Sequence, residues 1–128
     1  MGRVEGWEKI LVNMVAEAKE KPFRWGSHDC VTFAARVAEA LLGEKFLIPK
    51  WKTKKEAIEL LRNRKLEDYV TDYLDPIKLN YVRRGDIVAT MTDEGMALGV
   101  FLSPKGVFTS KNGLAYVPIS QIVKAWRV

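Results

Sequence analysis

The chain has 128 residues, 48% of them hydrophobic, enough for one domain with a real core and too few for two. Its net charge of +5 permits contact with nucleic acid, anionic envelope polymers or an acidic protein, without choosing among them. One cysteine excludes an internal disulfide, and no apolar run approaches the length of a membrane span. Residues 1–7 lack the basic-then-apolar pattern of a signal peptide. Synthesis in a reducing cytosol is expected, with any export by release in an assembled particle.

In chain order, Trp7, Ile10, Leu11, Met14, Val15 and Ala18 recur at helical spacing. They predict an amphipathic helix from about Glu5 to Glu20, stopped by Pro22. The stretch from Pro22 to Ala35 follows, with the only histidine and the only cysteine of the chain. Phe23, Trp25 and Gly26 have turn chemistry, and Ser27 or Asp29 can cap a helix whose first turn carries Cys30. A thiol at that place faces unpaired N–H groups and the positive end of the helix dipole, which favour the thiolate. The helix itself, to Leu42 with Gly43 as its stop, is apolar on most sides and predicts a buried central element.

Glu44 to Lys52 reads as a loop, and Thr53 with Glu56 as a capping box opening a short helix. Lys50, Lys52 and Lys54 lie there with Lys45 and Lys55, beside Trp51, and Arg62, Arg64 and Lys65 follow. These residues are ordinary solvated surface or a partner surface built on Trp51, Lys50, Lys52 and Lys54. Contact with nucleic acid is a weaker alternative, because no nucleic-acid motif accompanies them. A second helical stretch carries Leu66, Tyr69, Val70, Tyr73 and Leu74 on one stripe, with the tyrosines read as core, and Asp75-Pro76 closes it. The period then changes to that of strands: Asp86 to Met91, Met96 to Ser103, Val107 to Ser110 and Leu114 to Val117. Pro118 to Lys124 reads as a turn or short helix, and Ala125 to Val128 as a last strand. Helices first and an antiparallel meander second predict a single α+β domain spanning residues 1–128.

Aromatic-x-x-Trp-Gly-x-x-Asp-Cys-x-x-Phe, with the cysteine opening a buried helix, resembles the nucleophile motif of NlpC-type cell-wall peptidases. The resemblance is closest to a branch of phage proteins encoded in tail gene clusters. There the motif is followed by an Arg-Gly-Asp-Ile-Val strand and a closing Ala-Trp-Arg, matched here by residues 84–88 and 125–127. The resemblance implies a papain-like fold, with the Cys30 helix packed on a C-terminal antiparallel sheet or small half-barrel. It makes Cys30 the nucleophile position and Trp25, Gly26, Asp29 and Asp86 its supporting motif residues.

A cysteine hydrolase also needs a base and an orienting group. In the resembled peptidases the histidine opens the strand after the Gly-Asp strand; Ala97 holds that position here. The third polar position falls near Thr109 or Asn112. His28, two residues before Cys30, is the remaining candidate base, or else a capping or loop-binding residue. Cys30 is accordingly either a reactive thiol or a small buried residue retained by the fold. Asp86 reads as a turn residue ahead of its strand. One Cys and one His fall short of a zinc site, so no metal or cofactor is expected.

The reading these residues favour is a phage-derived tail-tip or tail-assembly protein, a structural or docking module without catalysis. Its expected partners are other phage tail proteins, its expected place the virion tail after synthesis in host cytoplasm. The alternative is an active peptidase or amidase in which Cys30 attacks peptidoglycan peptides.

Overall fold

A computed structural model describes residues 2–25, 28–45 and 51–128. The first helix, α1 (Trp7–Glu20), turns Leu11 and Ala18 inward and leaves Glu8, Lys9 and Glu17 outside, as its spacing requires. The second, α2 (Cys30–Leu42), starts where the Asp29 carboxylate accepts a hydrogen bond from the Thr32 N–H. It ends at Gly43, whose φ of 68° is the left-handed conformation that suits glycine. Val31, Phe33, Ala34, Val37, Ala38 and Leu41 are buried along it. Two short helices follow, α3 (Lys54–Asn63) and α4 (Leu66–Thr71). Thr53 caps α3 as expected, its hydroxyl accepting from the Glu56 N–H. The Glu56 carboxylate reaches the N–H of Lys52 rather than that of Thr53, one residue beyond the usual reciprocal bond.

The strands are β1 (Pro76–Ile77), β2 (Ile87–Thr92), β3 (Gly95–Phe101), β4 (Lys105–Ser110), β5 (Gly113–Pro118) and β6 (Ile122–Trp126). They form one antiparallel sheet in the order β1-β6-β2-β3-β4-β5. Four helices and six strands among the described residues make the α+β class plain. Strand β1 is too short for any periodicity to reveal, and β6 starts at Ile122, three residues before the predicted Ala125. Helix α4 stops at Thr71, short of the predicted stripe, so Tyr73 emerges 41% exposed instead of joining the core. Tyr69 is half-buried, with the Arg64 guanidinium 4.9 Å from its ring centre.

Helix α2 lies between α1 and the sheet, packed on β3 and β4. The alternation of strand side chains divides the interior in two. Ile87, Ala89, Leu98, Val100, Val107 and Trp126 join the helices in the main core. Val88, Phe101, Phe108, Ile122 and Ala125 form a smaller cluster on the other face, covered by Ile77, Leu79 and Val82. At Gly99 a Cβ would collide with the Val107 carbonyl and lie 2.6 Å from the Phe108 ring, so the close approach of β4 needs glycine there.

Asp86 does more than shape the turn before β2. Its fully buried carboxylate accepts from the Arg83 N–H at 2.9 Å, the Val128 N–H at 3.0 Å and the Arg3 guanidinium at 3.0 Å. Arg127 stands 3.4 Å away. Arg3 also donates to the carbonyls of Arg84 and Val128 and stacks 4.2 Å from the Trp7 ring centre. One carboxylate thus gathers the residues near both chain ends around the start of β2. Gly85, at φ 94°, completes the turn, and a Cβ there would lie 2.7 Å from the Arg3 guanidinium. Asp86→Ala would leave Arg3 buried without its counter-charge. It is expected to lower unfolding free energy by about 3–5 kcal/mol, the range for breaking a buried pair. A urea titration with unchanged m-value checks this.

Candidate functional site

The motif loop is pinned by two backbone bonds between Arg24 and His28, His28 N–H to the Arg24 carbonyl at 2.7 Å and the reverse at 3.3 Å. Gly26 and Ser27, between them, and Lys50 lie outside the described residues, so the roles expected of them rest on sequence alone. Trp25 is half-buried, with its ring edge-on to Phe23 at 5.1 Å between centres.

Asp29 is the polar centre of the site. It is buried, with each carboxylate oxygen committed: Oδ1 to the Thr32 N–H and Oδ2 to the Trp51 indole N–H, both at 2.8 Å. The first bond fixes where α2 begins and therefore where Cys30 stands. The second brings in a residue 22 positions away. Trp51, read from the sequence as solvated surface or part of a partner surface, is only 5% exposed and belongs to the core instead. The reason is this indole donor, which lets a large ring be buried with its N–H satisfied. Lys52 and Lys54 are exposed, and Lys54 pairs with Glu94 at 3.0 Å.

Cys30 opens α2 as expected, and its surroundings favour the inert alternative over the thiolate that a helix start by itself would promote. Burial pushes the thiol up to about 11, and the nearby Asp29 charge adds to the effect. The N–H groups of Leu98, Val31 and Cys30 itself point at the sulfur and favour the thiolate, without overcoming the burial. Part of the residue reaches the surface, yet the desolvated sulfur decides its protonation. At neutral pH the neutral thiol is therefore the favoured form.

His28 does not serve that sulfur. It is 8% exposed, and its imidazole hydrogen-bonds the Ala18 carbonyl at the end of α1 and stands edge-on to Phe33. It therefore ties the motif loop to α1 rather than capping α2, a role taken by Asp29. Burial lowers its pKa, and the charges of Lys21 and Arg36 lower it further. Ala97 packs into the far-face cluster, whereas its neighbour Leu98 faces the main core and Cys30. Thr109 is buried, its hydroxyl without a protein partner among the described residues. Asn112 is exposed in the β4–β5 turn. Asp86 supports the fold at the chain ends and makes no bond to Cys30.

An apolar cavity of about 20 Å³ lies between α2, α4 and the sheet, lined by Ala34, Ala38, Val70, Tyr73 and Leu98 among others. A second, of about 40 Å³, lies beside His28. Cys30 lines neither. Among the described residues no group of three His, Cys, Asp or Glu side chains is placed to hold a metal, and no helix is long and apolar enough to cross a membrane.

The chain belongs to the family described as a domain of unknown function, DUF6950, whose model matches residues 2–128. Comparison with curated proteins gives no match.

Two outcomes follow from this geometry. Trp51→Phe replaces the indole by an aromatic ring without a donor, takes one bond from the buried Asp29 carboxylate, and should cost about 1–3 kcal/mol in a urea titration. His28, with its pKa lowered in the fold, binds fewer protons there than in the unfolded chain, where it titrates near 6.5. Its contribution is complete above that pH and is lost as pH falls below it. Urea midpoints should therefore drop between pH 7.5 and 5.5, and His28→Gln should flatten that slope.

Proposed function

We propose that this DUF6950 chain is a papain-like module of the NlpC type in which the nucleophile motif has become structural, and that it acts as a docking or assembly component of a phage tail. What carries the loss of catalysis is the setting of Cys30: no base is hydrogen-bonded to it among the described residues, and burial pushes its thiol up to about 11. A cysteine nucleophile works as the thiolate, and the usual devices lower its pKa instead. The single histidine is occupied with the Ala18 carbonyl, and the position where the resembled peptidases hold theirs is an alanine packed into the opposite face of the sheet.

The papain-like identity draws support from a helix that begins at the cysteine and packs on an antiparallel sheet, with the Gly-Asp strand β2 paired to the Gly99 strand β3. The tail context rests on the resemblance of the three ordered motifs. What the motif residues do here is hold the fold: Asp29 caps α2 and anchors Trp51, and Trp25 and Cys30 pack against the main core.

The test has two readouts on the same pair of proteins. The wild-type chain and Cys30→Ser should both leave purified peptidoglycan uncleaved. Both, when tagged and expressed alongside the tail genes of their source, should co-purify with tail proteins. Cleavage by wild type that Cys30→Ser abolishes would restore the peptidase reading, and absence of the chain from tail complexes would remove the docking role.

A further inference from the structure

The cavity beside His28 has a chemistry that the fold does not use. It is bounded by Met14, Glu17, Ala18 and Lys21 of α1 and the turn after it, by His28, and by Phe33 and Arg36 of α2. Its volume of about 40 Å³ exceeds the ~10–15 Å³ that one water requires, so a group of a few heavy atoms fits. Two cations reach its rim. Among the described residues, neither Lys21 nor Arg36 is engaged in an ion pair, although α1 and α2 carry several carboxylates. The other polar lining groups are the Glu17 carboxylate and the imidazole of His28, a residue 8% exposed. One of its nitrogens serves the Ala18 carbonyl. The other makes no protein hydrogen bond among the described residues and, unlike the Thr109 hydroxyl, is not sealed from solvent.

A ring nitrogen open to the cavity, flanked by two unpaired cations at its mouth, is what an anion needs. We infer that this cavity is a binding site for a small oxyanion, a carboxylate or a phosphate, held by Lys21, Arg36 and His28. Arg36 offers its planar fork to two oxygens, Lys21 adds a point charge, and the protonated imidazole donates from its second nitrogen. Glu17 opposes them from α1, and Asp29, which does not line the cavity, favours the charged imidazole. An anion bound here would offset the repulsion that Lys21 and Arg36 exert on a charged imidazole, so binding takes up a proton at His28. The site needs neither a working Cys30 nor a papain-like ancestry, and it stands apart from the docking reading.

The single histidine makes the test direct, since its imidazole carbon-bound protons give isolated NMR signals. At pH 6 and constant ionic strength, phosphate, acetate and a short acidic peptide are each titrated into the full chain against sodium chloride. The expected result is a saturable shift of the His28 signals toward the protonated position with at least one oxyanion and not with chloride. The ligand that saturates at lowest concentration identifies the source: phosphate for a free or esterified phosphate, the peptide or acetate for a carboxylate. Lys21→Ala and Arg36→Ala, both at exposed positions, should each weaken binding about tenfold, the loss of one charge-assisted bond. Glu17→Gln should tighten it. A shift that never saturates, that chloride reproduces, or that survives unchanged in the Lys21→Ala, Arg36→Ala double variant would overturn the site.

Discussion

The Asp29 carboxylate is the interaction on which the rest of the site depends. Buried, it accepts from the Thr32 amide on one oxygen and from the Trp51 indole on the other. The first bond sets the start of α2, and with it the depth at which Cys30 enters the core. The second ties Trp51, shortly before α3, to the start of α2. Each bond supplies part of the solvation that burial removed. The same charge stands close enough to Cys30 to disfavour a thiolate. A residue that places the sulfur therefore also helps to keep it neutral.

A second buried carboxylate, Asp86, performs the corresponding task at the chain ends. It sits at the start of β2, the strand flanked by β3 and β6 in the middle of the sheet. Arg3 and the Val128 amide converge on it, so the residues before α1 and after β6 are fixed to the same point. Trp126 is then buried under α4, its indole donating to the Thr71 hydroxyl at 3.0 Å. The two aspartates divide the work. Asp29 holds the helical layer to its loop, and Asp86 holds the sheet to both ends of the chain.

Much of this was legible in the sequence wherever the cause is local. The spacing of Trp7, Leu11 and Ala18 marks α1, and Asp29 and Gly43 bracket α2 almost to the residue. The alternation through Ile87 to Met91 and the Asn112-Gly113 turn mark β2 and the β4–β5 hairpin. What sequence could not supply is which distant group meets which. The Trp51–Asp29 bond spans 22 residues with no pattern linking them, so an aromatic between lysines looked like surface. Helix-dipole reasoning at Cys30 identified the favourable amides correctly but had no measure of the desolvation that outweighs them. His28 is near Cys30 in sequence, yet its ring follows α1 because Ala18 offers a carbonyl there. Strand parity shows that positions 97 and 98 part company; only packing against α2 shows which of them faces the thiol.

The central claim is that the cysteine of the nucleophile motif is a neutral, half-buried part of the scaffold. The most direct measurement is the ¹³Cβ chemical shift of Cys30 followed from pH 6 upward, an equilibrium readout unaffected by reagent access. The chain has one cysteine, so the signal is unambiguous. The account predicts a thiol shift that holds through pH 9 and moves only as pH approaches about 11. A midpoint below the free-cysteine value of about 8.5 would contradict it and mark Cys30 as an activated nucleophile.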